Sequence, residues 1–272
     1  MYTKARIDCH THIISKEIAR EYFDKTDNIA IVMEMAESIY KNPECVETVL
    51  SDKRLLFSPV IDLKKDIKEQ IERIRPHLED WKIVGLKFFL TYQNGRADEE
   101  RLFPVYDFAE KYGLTITYHT GLPSLVLPCD NDMEGSRAEH IGKVCDKYPN
   151  VNFVAAHLDD PRFTECIDVM SSHPNLYSDF SGAYETGTKE GNDVEGAIKC
   201  FKSAIFSKPD MEKQILYGTD FCPPINLSQL DEYDYTISNI FEEKDFERIY
   251  LYNPLNAFPS ITKFIDIQAL TK

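Results

Sequence analysis

The sequence predicts a closed (β/α)₈ TIM barrel, on three observations. Short apolar runs alternate with amphipathic segments about eight times, the pattern of parallel strands joined by crossover helices. The chain has 272 residues, close to the ~250 typical of that fold. Several of the apolar runs close on a histidine or an aspartate, at the strand ends where such barrels carry their chemistry. An open doubly wound sheet shares the alternation, but no glycine-rich dinucleotide fingerprint follows the first run.

The first run ends in IDCHTH, residues 7–12. Alternate side chains of an extended chain share a face, so Asp8, His10 and His12 are expected on one side. Cys9 and Thr11 are then expected on the other, with Cys9 toward the helix layer. Two neutral imidazoles two residues apart on a rigid strand can supply two ligands to one metal ion at about 2.0–2.1 Å. ISKEIAREYFDK has helical composition, IAIVMEM (29–35) is a β-branched second run, and SIYKNPECVETVL is helical apart from Pro43. RLLFSPVID (54–62) is the third strand. Ile67, Ile71, Ile74 and Leu78 then recur every three or four residues, which predicts an amphipathic helix.

VGLKFFL (84–90) is the fourth strand and carries Lys87. Residues 98–113 predict a helix capped by Asp98 and stopped by Gly113. LTITYHTG (114–121) closes near His119. After a polar loop (122–136) and the helix SRAEHIGKVCDKYP, the run VNFVAAHLDD (151–160) closes near His157. FTECIDVMSSHP is helical, NLYSDFSG (175–182) is the seventh strand, and a helix is expected around 195–207. QILYGTDF (214–221) ends near Asp220, and the remainder from Leu227 to Lys272 is mostly helical.

His10, His12, Lys87, His119, His157 and Asp220 therefore converge on one mouth of the predicted barrel. Imidazoles and a carboxylate suit a borderline ion, Zn²⁺ first, with Mn²⁺, Fe²⁺ or Ni²⁺ compatible with the same donors. An ion with an open position lowers the pKa of bound water toward ~7 and polarises a carbonyl. His77, His140 and His173 fall in helical or loop segments and are expected to be surface or packing residues.

The formal charge of −15 and pI near 4.9 repel phosphate backbones and anionic lipid, so a small molecule is the expected partner and nucleic acid is not. No signal-peptide core and no ~20-residue apolar stretch is present, which predicts a cytoplasmic protein without a membrane span. Seven scattered cysteines without a C-x-x-C pair predict reduced thiols and no cysteine-ligated metal. At 43% hydrophobic, without a Gly/Ser- or Pro-rich linker, residues 1–272 are expected to form a single domain with a sizeable core. A homodimer is compatible with the same composition.

In their order, IDCHTH, VGLKFF with LFPVYDFAEKYGL, TYHTG, FVAAHLDD, LYSDFSG and LYGTDFCPP resemble the amidohydrolase superfamily. Within it they resemble the amidohydrolase-related branch that includes aminocarboxymuconate-semialdehyde decarboxylase, over nearly the whole chain. The first motif is shared with metal phosphoesterases and TatD-type nucleases, but GTDFCPP differs from the Glu-Thr-Asp sequence of the nucleases. The resemblance implies one divalent ion held by His10, His12, His119 and Asp220. It makes Asp220 the group that takes a proton and His157 the histidine beside the metal-bound water. In binuclear members a lysine at the position of Lys87 is carbamylated and bridges two ions; in single-metal relatives it is not a ligand, and there Lys87 is expected to pair with an acidic group near the mouth. The implied activity is metal-dependent hydrolysis of a C–N or C–O bond in a small carbonyl compound, with non-oxidative decarboxylation of an aromatic or unsaturated acid as the alternative. The chain departs from its relatives in LDDPRF, where Asp159 and Asp160 stand at positions often occupied by glycine. Arg137, Arg162, Tyr184 and Tyr118 are candidate contacts for a substrate carboxylate or ring.

Overall fold

The computed structural model describes residues 5–40, 44–124, 127, 129, 133–182, 193–222 and 230–267. Strand and helix alternate from the start: β1 (Ile7–Thr11), α1 (Lys16–Lys25), β2 (Ile29–Met33), α2 (Cys45–Ser51), β3 (Leu55–Ser58) and α3 (Ile67–Ile74). β4 (Gly85–Phe89), a single turn α4 (Leu90–Gln93), α5 (Phe103–Tyr112), β5 (Thr115–His119), α6 (Ala138–Lys147) and β6 (Phe153–Ala155) follow. The chain then forms α7 (Phe163–Met170), β7 (Leu176–Ser178), α8 (Val194–Ile205) and α9 (Leu230–Ile240) before short C-terminal helical turns.

Local chemistry sets these boundaries. The Ser15 side chain accepts from the Ile18 amide to start α1, and Asp66 accepts from Glu69 to start α3, each satisfying an amide that the helix leaves free. Gly113, at φ +67°, stops α5 as expected. Asp98 does not cap it. The helix begins after a 3₁₀ turn, with Pro104 in its first turn, and the Asp98 carboxylate instead takes hydrogen bonds from Arg96, His140 and Lys143.

The strands lie in two parallel ladders, β1–β2–β3 and β4–β5–β6–β7. Bridges Phe57–Ile83 and Val60–Lys87 join β3 to β4. The eighth stave, expected as a continuous strand over 214–221, pairs only at its ends, with β7 through Ser178–Ile215 and with β1 through Thr11–Phe221. Asp220 there has φ +52°, outside the extended region, so a regular ladder cannot continue through it. Leu216 N still donates to Ser178 O at 2.8 Å and Cys9 N to Tyr217 O at 2.9 Å, which closes the barrel.

Two apolar layers surround the staves. Ala30, Val32, Phe57, Leu86, Phe88 and Phe153 face the helices, whereas Ile7, Ile31, Leu56, Val154 and Leu216 fill the interior with Phe258 and Leu251 from the C-terminal turns. Cys9 belongs to the interior group and not to the helix layer, and Asp8 takes the helix side with Tyr22 of α1. The reason lies in the register of β1. Asp8 pairs with Ala30 but Thr11 with Val32, so one extra residue on β1 breaks the alternation between them. All seven cysteines are free, and no helix among the described residues is long and apolar enough to cross a membrane.

Candidate metal centre and active site

The irregular register of β1 brings two histidines to the inner mouth with their rings already oriented. His10 is fully buried and its Nδ1 donates to Asp179 Oδ2 at 3.2 Å; His12 Nδ1 donates to Met33 O at 2.8 Å. Each Nε2 is thereby left with its lone pair, the arrangement of metal-binding histidines, whose second nitrogen is held by a carboxylate or carbonyl. Both lone pairs point at Asp220. Oδ1 of Asp220 lies 3.2 Å from His12 Nε2 and 3.5 Å from His10 Nε2.

Three lone-pair donors this close repel one another unless a cation lies among them, either a divalent ion or the Lys87 ammonium, 3.0 Å from His10 Nε2. Ligand bonds of about 2.0–2.1 Å at tetrahedral angles place neighbouring donor atoms about 3.3 Å apart, so the spacing matches one divalent ion. Burial, followed by the charge of Lys87, brings His10 down to about 4. Burial alone would raise the Asp220 carboxyl, but His10 and His12 hold it well below the usual carboxylate range.

Asp8 fastens this corner from behind. Its Oδ1 accepts from the amides of His10 (3.2 Å) and Thr219 (3.1 Å), and its Oδ2 from Thr219 Oγ1 (2.7 Å) and Tyr22 OH (2.8 Å). One buried carboxylate thus ties both metal-facing segments to α1. Asp8→Ala leaves several buried donors without partners, at about 1–3 kcal/mol each before relaxation. The expected loss is on the order of 3–5 kcal/mol, measured by denaturant unfolding, and a loss under about 1 kcal/mol would show that Asp8 does not brace the corner.

Asp179 is the residue that sequence reasoning missed. Besides His10 Nδ1 it accepts from the amides of His157 (3.1 Å) and Ser181 (3.0 Å) and from Ser181 Oγ (2.6 Å). It therefore positions His10 and the loop of His157 together. Its only signal in the sequence is an acidic residue near the end of the seventh apolar run.

His119 Nε2 donates to Leu122 O at 3.1 Å, which leaves its Nδ1 with a lone pair, 3.0 Å from His157 Nε2. The two compact groups of candidate donors among the described residues are His10, His12 and Asp220, and His10, His157 and Asp179; His119 is in neither. His157 Nδ1 in turn donates to Ser181 O at 2.5 Å. Burial, followed by the charge of His157, holds His119 well below the ordinary imidazole range.

Lys87 is fully buried beside the candidate donors, with Nζ 3.0 Å from His10 Nε2, and burial lowers it to about 8. Among the described residues, the cavity lining does not include Arg137 or Arg162. The first pairs with Glu165 and Glu134, the second with Asp159 through two hydrogen bonds. Tyr118 is in the core, its hydroxyl donating to Tyr106 OH at 2.8 Å. Tyr184 lies outside the described residues.

Above the donors, His12, His119, His157, Asp160 and Asp220 share a cavity with Phe89, Tyr92 and Leu122. Phe89 lies 6.0 Å from the His12 ring and 6.1 Å from that of His119, and Tyr92 lies 4.8 Å from His119. Gly182, at φ +67°, keeps the opposite side open. A Cβ there would stand 2.9 Å from Asp220 Oδ2 and 3.2 Å from His157 Nδ1.

The family profile described as amidohydrolase matches residues 7–259. The chain belongs to the amidohydrolase family. Among solved structures, an uncharacterised TIM-barrel protein of Bordetella bronchiseptica is 16% identical with a TM-score of 0.67, covering 95% of this chain and 99% of its own. A probable 2-pyrone-4,6-dicarboxylic acid hydrolase of Acinetobacter baumannii is 13% identical with a TM-score of 0.66, over 93% and 99%. A 2,6-dihydroxybenzoate decarboxylase of Rhizobium is 13% identical with a TM-score of 0.60, over 95% and 99%. At these identities the likeness shows the amidohydrolase barrel alone. No match is found among curated proteins.

Proposed function

We propose that this amidohydrolase is a metal-dependent, non-oxidative decarboxylase of a small aromatic or unsaturated acid. The observation that carries the reading is the pairing of the His10, His12 and Asp220 triangle with a wall of rings formed by Phe89, Tyr92 and His119. One divalent ion is expected per chain, with Zn²⁺ the first choice; when bound, it supplies the positive charge that attracts a carboxylate and stabilises the electron-rich state left by its departure. The rings give a planar substrate a face to pack on. In this reading His157 passes a proton to the carbon that loses CO₂. The bond between that carbon and the carboxyl group breaks, CO₂ departs, and the incoming proton takes its place. Both a decarboxylase and a hydrolase stand among the similar structures, so the fold is compatible with either chemistry.

A hydrolytic reading is favoured by one observation, the ionised Asp220 carboxylate facing the open space beside Gly182. There Asp220 would take the proton of a water that attacks a lactone, ester or amide carbonyl. In either case the protein acts as a single-domain cytoplasmic catalyst on a diffusing small molecule. Release of labelled CO₂ from a panel of aromatic and muconate-type acids is the test. We expect CO₂ release that falls at least about 100-fold after chelation and returns with one equivalent of Zn²⁺ or Mn²⁺. Hydrolysis of lactones or amides without CO₂ release would select the second reading, and full activity in chelated, metal-free protein would reject both.

A further inference from the structure

The metal cavity has a neighbour on the same face of the barrel. A second cavity, of about 480 Å³, opens between α3 and the segments that follow β2 and β3, lined among others by Glu34, Val60, Asp62, Glu69 and Arg73. Among the described residues, Met35 is the one that lines both cavities. It is 5% exposed and belongs to a small apolar cluster with Val60, Phe89 and Cys222, apart from the two layers of the barrel core. Phe89 and Cys222 line the metal cavity and Val60 the second one, so this cluster is the wall between them.

The backbone on either side of Met35 is held in place. Glu34 N donates to Ser58 O at 3.0 Å and Glu34 Oε2 accepts from Val60 N at 3.0 Å, which ties the end of β2 to the end of β3 at two points. On the other side, Ala36 O accepts from the amides of Ile39 at 2.8 Å and Tyr40 at 3.0 Å. With the main chain fixed, the Met35 side chain decides whether the wall is closed. A long unbranched thioether fills such a gap, and a shorter side chain leaves it open.

We propose that Met35 sets the upper size of the substrate, confining the site to single-ring acids, and that a shorter side chain at this position joins the two cavities and admits acids extended beyond one ring. This deepens the proposed function and rests on it. An acid whose carboxylate lies at His10, His12 and Asp220 and whose ring packs on Phe89 meets Met35 next, because Phe89 and Met35 share one cluster. A packed wall yields little, so a longer acid forces its side chains out of their preferred rotamers and binds more weakly.

The test is equilibrium binding of benzoate, 3-phenylbenzoate and 4-phenylbenzoate to Zn²⁺-loaded protein, for the natural chain, Met35→Ala and Met35→Leu, with thermal unfolding of each. The natural chain should bind benzoate about tenfold or more tightly than either phenylbenzoate. In Met35→Ala that ratio should fall at least about tenfold for one of the two, whereas Met35→Leu, of nearly the same volume, should keep it. If Met35→Ala does not fold, Met35→Val carries the same comparison with a smaller truncation. A general loosening of the cavity shifts all the acids alike and leaves the ratio unchanged, and that result overturns the proposal. An equal fall of the ratio in Met35→Leu overturns it too, as does a natural chain that binds a phenylbenzoate as tightly as benzoate. Failure of every acid, benzoate included, to bind any of the chains rejects the ring-acid reading of the function and this inference with it.

Discussion

Asp220→Asn should lose about 10³-fold in turnover while the barrel stays folded. Asparagine keeps the size of the side chain and tolerates the left-handed backbone found at this position, φ +52°, so the fold has no reason to give way. The Asp220 amide still donates to His10 O at 2.7 Å, a bond the substitution does not touch. What changes is the charge and the donor count. The new amide group can turn its NH₂ toward the lone pairs of His12 and His10, 3.2 and 3.5 Å from Oδ1, satisfying them without any cation. Metal affinity should therefore fall with turnover, by about 10- to 100-fold. Metal content by elemental analysis, turnover with saturating ion, and thermal unfolding check the three parts. Full turnover in this variant would show that Asp220 has no chemical role.

The strands were legible because each combines an apolar run with a turn or cap signal, and the eight staves appear at the expected places in the chain. His10, His12 and Asp220 were legible for a different reason: residues at strand ends of a parallel barrel share one mouth whatever their separation in sequence. Facing was harder. Alternation assigned Asp8 and Cys9 to the wrong sides because one extra residue in β1 shifts the pattern, and nothing in IDCHTH marks that residue. Hydrogen-bond partners were hidden altogether. Nothing in the sequence shows that Leu122 O fixes one nitrogen of His119 while the other stands 3.0 Å from His157 Nε2. Arg137 and Arg162 looked available in the sequence, where their acidic partners Glu165 and Asp159 were only two more charges in an acidic chain. Asp179 lacked any spacing signature, since one carboxylate serving two loops is defined by the packing and not by a motif.

Lys87→Met should bind one equivalent of metal per chain more tightly than the natural protein, by roughly ten- to a hundredfold. The Lys87 ammonium is 3.0 Å from His10 Nε2, which has one lone pair to give, so donation by Lys87 and ligation of an ion compete for it. Charge adds to the competition. Two unit charges 4 Å apart at an effective dielectric near 20 interact by about 4 kcal/mol, an upper bound that the carboxylates of Asp179 and Asp220 reduce by attracting both cations. A tenfold to hundredfold gain is about 1.4 to 2.7 kcal/mol, within that bound. Methionine fills nearly the same volume without a charge, so the barrel interior should tolerate it. The opposite expectation belongs to a carbamylated lysine, which would be an anionic oxygen donor for a second ion. Competition against a chelator of known affinity, together with the intact mass of the natural protein, separates the two. Weaker binding in Lys87→Met, loss of one of two metal equivalents, and a natural protein heavier by one CO₂ would establish the bridging role and overturn the single-ion site.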